Sequence, residues 1–169
     1  MQFRKVLADA FTTIFEVLMI DGVQLKQLTT HTDERGFFRE VLRVTDIESF
    51  GQLSWSSMYQ PTIKAWHIHR IQWDYWLVPI GVIKAVLCDL TGPVAQDILD
   101  RTIKTKVHLE SWRFAEYILG DNQPAQVLCI PPGVAHGLKV LQGPAHLFYV
   151  TSHVYNPEDE GRIPFDALG

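Results

Sequence analysis

The sequence predicts an all-β sandwich or barrel, because short β-rich runs recur along most of it and turn-forming residues separate them. The expected strands are Val23–Thr29, Phe37–Leu42, Ser54–Gln60, Ile63–His69, Tyr75–Pro79, Val82–Asp89, Lys106–Leu109, Gln126–Ile130, Gly137–Leu141 and His146–Tyr155. Between them lie Thr-Gly-Pro, Gly-Asp-Asn and Pro-Pro-Gly, which punctuate the chain as hairpins and corners require. Asp46-Ile47-Glu48-Ser49-Phe50 reads as a single helical turn at the periphery. Residues 1–19 have mixed periodicity and read as a helix or an extension that packs on a neighbour, and residues 1–20 are taken together as an N-terminal extension. With no internal repeat, low-complexity tract or linker, residues 1–169 are expected to form one domain.

Composition narrows the function classes. A chain of 169 residues with 47% hydrophobic and 11% aromatic content can bury a sizeable core and is not expected to be disordered. Lys and Arg number 15 against 19 acidic residues, a net charge of −4 without a basic run, so nucleic acid and anionic membranes are not expected partners. Phe11 to Ile20 is too short to span a bilayer and carries Glu16, so a cytoplasmic location is expected. Cys88 and Cys129 each sit in an apolar run without a nearby second thiol and read as buried free cysteines.

Against this apolar background three histidines stand out. His67 and His69 are two apart on an expected strand and so point to the same face. Asp74 and Gly81 follow, and much later Pro131-Pro132-Gly133-Val134-Ala135-His136 carries a third imidazole to the start of another strand. A single such histidine reads as a satisfied core residue. Three near one carboxylate read as a site, since buried polar groups need partners. The set His67, His69, Asp74 and His136 would suit a divalent transition metal. Its spacing resembles the two cupin motifs, with Asp in place of the usual Glu, and that resemblance implies a double-stranded β-helix, the jelly-roll barrel.

A second resemblance covers residues 22 to 166. Asp33-Glu34-Arg35-Gly36-Phe37-Phe38-Arg39-Glu40, Lys64-Ala65-Trp66-His67, Ile130-Pro131-Pro132-Gly133-Val134-Ala135-His136-Gly137, Tyr149 and Tyr155-Asn156-Pro157 occur in that order. They resemble the successive motifs of the dTDP-4-dehydrorhamnose 3,5-epimerase family, cupins that work without metal on nucleotide-linked 4-keto-6-deoxyhexoses. The resemblance implies proton removal next to a ketone, stabilisation of the enolate oxygen and proton return from the opposite face. It casts His67 as the base, Tyr149 as the acid and His136 as the donor to the enolate oxygen. Imidazole, with an ordinary pKa of about 6.5, and phenol, near 10, suit those tasks at neutral pH.

The same resemblance implies nucleotide contacts. Arg35, Phe38 and Glu40 match positions that meet the base and diphosphate, commonly in the pocket of an adjacent subunit, so a homodimer is expected. Lys64 stands where the family has a phosphate-binding Arg, and Gln52 and Ser56 match polar substrate-side positions, with Ser54 between them in place of Asn. Tyr155 reads equally as a stacking partner for a base and as a residue closing the barrel.

Three departures qualify the likeness. Trp76-Leu77-Val78 replaces a Lys-Leu-Val segment whose cation helps to hold the keto oxygen. The sequence ends at Gly169 without the segment that supplies an aspartate to orient the histidine base, leaving Asp74 and Asp166 as candidates for that role. His69 replaces a glutamine and completes His-x-His. The expected function is therefore an epimerase-type isomerase without a cofactor. A metal-dependent cupin isomerase or oxygenase and a non-catalytic sugar-nucleotide binder are the alternatives.

Overall fold

The computed structural model describes residues 20–90, 100 and 113–164. They fold almost wholly as strands: β1 (Gln24–Gln27), β2 (Thr30–Asp33), β3 (Gly36–Arg39), β4 (Gln52–Met58), β5 (Ile63–His69), β6 (Asp74–Asp89), β7 (Arg113–Gly120), β8 (Gln126–Ile130), β9 (Val134–Thr151) and β10 (Glu160–Arg162). One 3₁₀ turn, Val44–Asp46, lies just before the helical turn expected at 46–50. Among the described residues no helix is long and apolar enough to cross a membrane. The expected strand 106–109 and the extension 1–19 lie outside the described residues.

Two long antiparallel strands organise the barrel. The sheet runs β1-β8-β6-β9-β5-β10, with β4 added on β9 and β7 on β6. β6 and β9 pair from Asp74↔Thr151 to Asp89↔Val134, with register shifts between Leu77 and Ile83. Those shifts explain why each strand reads as two in the sequence. Gly81 and the Gln142-Gly143-Pro144 stretch, expected to break strands, instead form facing irregularities within continuous ones. Gly81 has φ +74, and a Cβ there would lie 2.5 Å from the Pro144 carbonyl oxygen. Only glycine fits that corner.

Side chains alternating inward fill the barrel. Ile83, Leu87, Leu128, Ile130 and Val140 are almost fully buried and pack with Trp76, Leu138 and Leu147. Each such side chain contributes about 1.5–3 kcal/mol of transfer free energy relative to exposure. Cys88 and Cys129 are buried free thiols, as their apolar surroundings predict. The architecture is a cupin jelly-roll barrel, all-β as expected.

Among the described residues the β2–β3 hairpin forms a sheet of its own, paired from Thr30↔Arg39 to Asp33↔Gly36. Its Phe37 and Phe38 are 65% and 66% exposed.

Candidate active site

The strand register brings the candidate residues together. β5 pairs β9 with His67 opposite His136, and β10 pairs β5 with Arg162 opposite His67 and Glu160 opposite His69. The close approach of β5 and β9 depends on Gly137, where a Cβ would come within 2.6 Å of the Ala65 Cβ. A cavity of about 280 Å³ opens at this junction, with His67, Gln72, Asp74, Trp76, His136 and Tyr149 among its walls.

At the open side of the cavity His67 Nδ1 lies 2.6 Å from Glu160 Oε1. A carboxylate oxygen accepts, so Nδ1 carries a proton and Nε2 is left as the basic nitrogen. Glu160 Oε2 in turn accepts from Arg162 at 2.9 Å. Burial works against ionisation of Glu160, but the hydrogen bonds from Arg162 and His67 outweigh it and hold the carboxyl below its ordinary value. The arrangement fixes the ring and leaves Nε2 available to a substrate.

Deeper in the cavity a second group is tied together by side-chain bonds. Gln72 Nε2 donates to Asp74 Oδ1 at 2.7 Å and lies 3.3 Å from His69 Nε2. Trp76 Nε1 donates to Asp74 Oδ2 at 3.1 Å. His136 Nδ1 meets the Val134 carbonyl oxygen at 3.1 Å, and its Nε2 is 3.6 Å from Asp74 Oδ2. The Trp76 ring stands edge-on to His136, with centroids 5.3 Å apart. Burial pushes the His136 pKa down to about 4, opposed by the Asp74 charge, so the ring is neutral at pH 7. With Nδ1 bonded to the backbone, neutral His136 offers Nε2 as an acceptor, which differs from the donor role the family resemblance implies.

The candidate residues divide by position. Gln52, Ser56, Lys64 and Tyr155 line the same cavity as His67 and Tyr149. Lys64 Nζ donates to Ser56 Oγ at 2.7 Å, and Gln52 Oε1 accepts from the Tyr155 backbone N–H at 2.9 Å. Arg35 and Phe38 sit on the separate hairpin, Arg35 paired with Asp33, while Glu40 pairs with Arg43. None of these three lines this cavity. Of the four candidate metal ligands, His69, Asp74 and His136 bring ligand atoms within 4.8 Å of one another, and His67 stands outside that group.

The carboxylate against His67 is that of Glu160, while Asp74 faces His136 and Asp166 lies outside the described residues. Glu160 was invisible as a site residue because Pro157-Glu158-Asp159-Glu160-Gly161-Arg162 reads as a polar loop. Only its register on β5 carries it to His67. Asp159 was missed for the same reason. Its Oδ1 accepts from the backbone N–H groups of Arg70 and Ile71, and its Oδ2 lies 3.5 Å from His69 Nδ1.

The family described as dTDP-4-dehydrorhamnose 3,5-epimerase matches residues 17–168. The spore coat polysaccharide biosynthesis protein SpsL of Bacillus subtilis (strain 168) is 42% identical over 153 residues, covering 88% of this chain and 91% of the relative. Among solved structures, a dTDP sugar isomerase from Desulfovibrio desulfuricans G20 superposes with a TM-score of 0.71 at 27% identity, covering 88% of this chain and 87% of that one. The epimerase RmlC of Legionella pneumophila Philadelphia 1, in complex with dTDP-4-keto-L-rhamnose, superposes with a TM-score of 0.69 at 24% identity, covering 89% and 78%.

Proposed function

Because the chain belongs to the dTDP-4-dehydrorhamnose 3,5-epimerase family, we propose that it is an enzyme epimerising a dTDP-linked 4-keto-6-deoxyhexose beside its ketone. The observation that carries this reading is the His67–Glu160 pair, 2.6 Å apart at the open side of a barrel cavity. His67 Nε2 takes a proton from the carbon next to the ketone, and the electron pair of that C–H bond moves onto the ketone oxygen. Tyr149, on another wall of the same cavity, gives its phenolic proton to the opposite face of that carbon. Solvent then removes the proton from His67 and restores that of Tyr149. Lys64, Ser56, Gln52 and Tyr155 form the polar side that would meet the nucleotide diphosphate and base.

Incubation of the protein with dTDP-4-keto-6-deoxyglucose in deuterated water should place deuterium at carbons flanking the ketone. Tyr149→Phe should lower epimer formation about 100-fold while leaving some exchange, because abstraction by His67 survives. Nucleotide-sugar binding without exchange in the unaltered protein would replace this reading with a binding role.

The exposed β2–β3 hairpin supports a homodimer in which Arg35 and Phe38 reach the cavity of a second copy, since they do not line their own. Light scattering should return twice the chain mass. A monomer would remove the nucleotide roles of Arg35, Phe38 and Glu40. On this reading the enzyme is cytoplasmic.

A further inference from the structure

The carboxylate that meets His67 is carried by a very short strand. β10 is three residues long and, among the described residues, pairs with β5 alone, so its own ladder gives it little hold. Glu160 nevertheless stands 2.6 Å from His67 Nδ1, a contact that a shift of about half an ångström would spoil. More than the ladder has to fix it.

The chain is fastened on both sides of the strand. After it, Ile163 and Trp66 exchange two backbone hydrogen bonds, at 3.1 and 3.0 Å. Before it, the Asn156 carbonyl accepts from the Asp159 N–H at 3.0 Å and the Asn156 side chain accepts from the Glu158 N–H at 3.0 Å, closing a turn that aims Asp159 inward. Asp159 is 5% exposed, and its Oδ1 accepts from the backbone N–H groups of Arg70 and Ile71 at 3.0 and 3.1 Å. Those groups lie just past the end of β5, where the ladder has stopped. The side chain acts as one more rung. Its Oδ2 faces His69 Nδ1 at 3.5 Å without a hydrogen bond, so the grip is that of Oδ1.

We propose that Asp159 is a positioning residue for proton abstraction: by clamping the head of β10 to the end of β5 it holds Glu160 against His67, and so keeps His67 Nε2 as the basic nitrogen. Asp159 is absent from the cavity walls, so it acts through its neighbour in the chain and not on the substrate. Arg70 is half-buried and Ile71 exposed, so water can take over both N–H groups when the side chain is shortened. The barrel then survives, and what is lost is the tether. Reach counts for more than charge in such a clamp. Asp159→Asn keeps an oxygen at the same distance from the backbone, whereas Asp159→Glu keeps the charge and carries it one methylene too far.

The test reads the His67 tautomer in the resting protein. At about pH 8 an imidazole of ordinary pKa is neutral, and its nitrogen-15 shifts report which nitrogen bears the proton. The signal is assigned by its loss in His67→Asn. The unaltered protein should carry the proton on Nδ1, and Asp159→Ala and Asp159→Glu should move it largely to Nε2, as Glu160→Ala does. Asp159→Asn should keep the unaltered pattern. On dTDP-4-keto-6-deoxyglucose, Asp159→Ala and Asp159→Glu should lower turnover about tenfold with KM changed by less than about threefold, and Asp159→Asn should stay within about threefold in both. In a Glu160→Ala background Asp159→Ala should cost nothing more.

A proton that remains on Nδ1 in Asp159→Ala, one already on Nε2 in the unaltered protein, or losses that multiply in the Glu160→Ala background would overturn the proposal. Should Asp159→Ala fail to fold, Asp159→Asn and Asp159→Glu carry the same contrast, and a proton kept or lost alike in both overturns it. The effect on turnover rests on the epimerase reading, whereas the tautomer does not. A tautomer that moves as expected in protein showing no deuterium exchange would keep the clamp and remove the epimerase. Intact exchange with an unmoved tautomer would do the reverse.

Discussion

Two imidazole–carboxylate pairs share one cavity, and they differ in depth and in grip. His67 and Glu160 meet at 2.6 Å with the His67 side chain 36% exposed, whereas His136 and Asp74 stand 3.6 Å apart and almost wholly buried. In the first pair the carboxylate holds the proton-bearing nitrogen, so the basic nitrogen faces the open cavity. In the second a backbone carbonyl holds the proton, and the basic nitrogen faces the carboxylate itself. The same two residue types therefore make an oriented base in one place and, in the other, a neutral ring beside a carboxylate that Gln72 and Trp76 already hold. Which nitrogen is occupied decides between them.

Removing the charge of Glu160 strikes at the first pair alone and carries the larger effect. Glu160→Gln keeps an oxygen that accepts from His67 Nδ1 but withdraws the negative charge that stabilises the imidazolium formed on proton abstraction. The turnover rate should fall about tenfold to 100-fold, with KM for the sugar nucleotide changed by less than about threefold, because the lost interaction develops during the reaction. Steady-state kinetics on dTDP-4-keto-6-deoxyglucose separates the two parameters. A rise in KM with unchanged turnover would make Glu160 a binding residue.

The two pairs also differ in how far the sequence revealed them. His67, His69, Asp74 and His136 were legible because strand alternation and a Pro-Pro-Gly turn place them by local rules. Ile63–His69 and Gln126–Ile130 match β5 and β8 residue for residue. Glu160 and Asp159 were not legible, since they reach the histidines through the pairing of β10 on β5, a contact nearly the length of the barrel away in sequence. β7 was missed for a related reason. Arg113-Phe114-Ala115-Glu116-Tyr117-Ile118-Leu119-Gly120 mixes helix-favouring Ala, Glu and Leu with strand-favouring residues, and eight register pairs with β6 settle it. β2 was missed because Thr30-His31-Thr32-Asp33 is polar throughout and has no apolar face to betray it. Gln72 gives no sequence signal at all. Its importance lies in a carboxamide that touches both His69 and Asp74.

The smallest effect falls on Arg162, one bond farther from the reacting proton. Its guanidinium is 69% exposed and holds Glu160 Oε2 at 2.9 Å, while His67 uses Oε1. Water screens the exposed guanidinium although Glu160 is largely buried, and the long side chain loses freedom in making the pair, so its contribution is about 1 kcal/mol. Arg162→Ala should lower turnover by no more than about threefold if its part is to hold Glu160. Arg162 also lines the cavity, so a direct contact with a diphosphate would show as a KM rise of about tenfold with turnover preserved. Pairing the variant with Glu160→Gln sharpens the answer. If Arg162 acts through Glu160, its effect should vanish in the double variant, whereas an effect that persists undiminished assigns the arginine to the substrate.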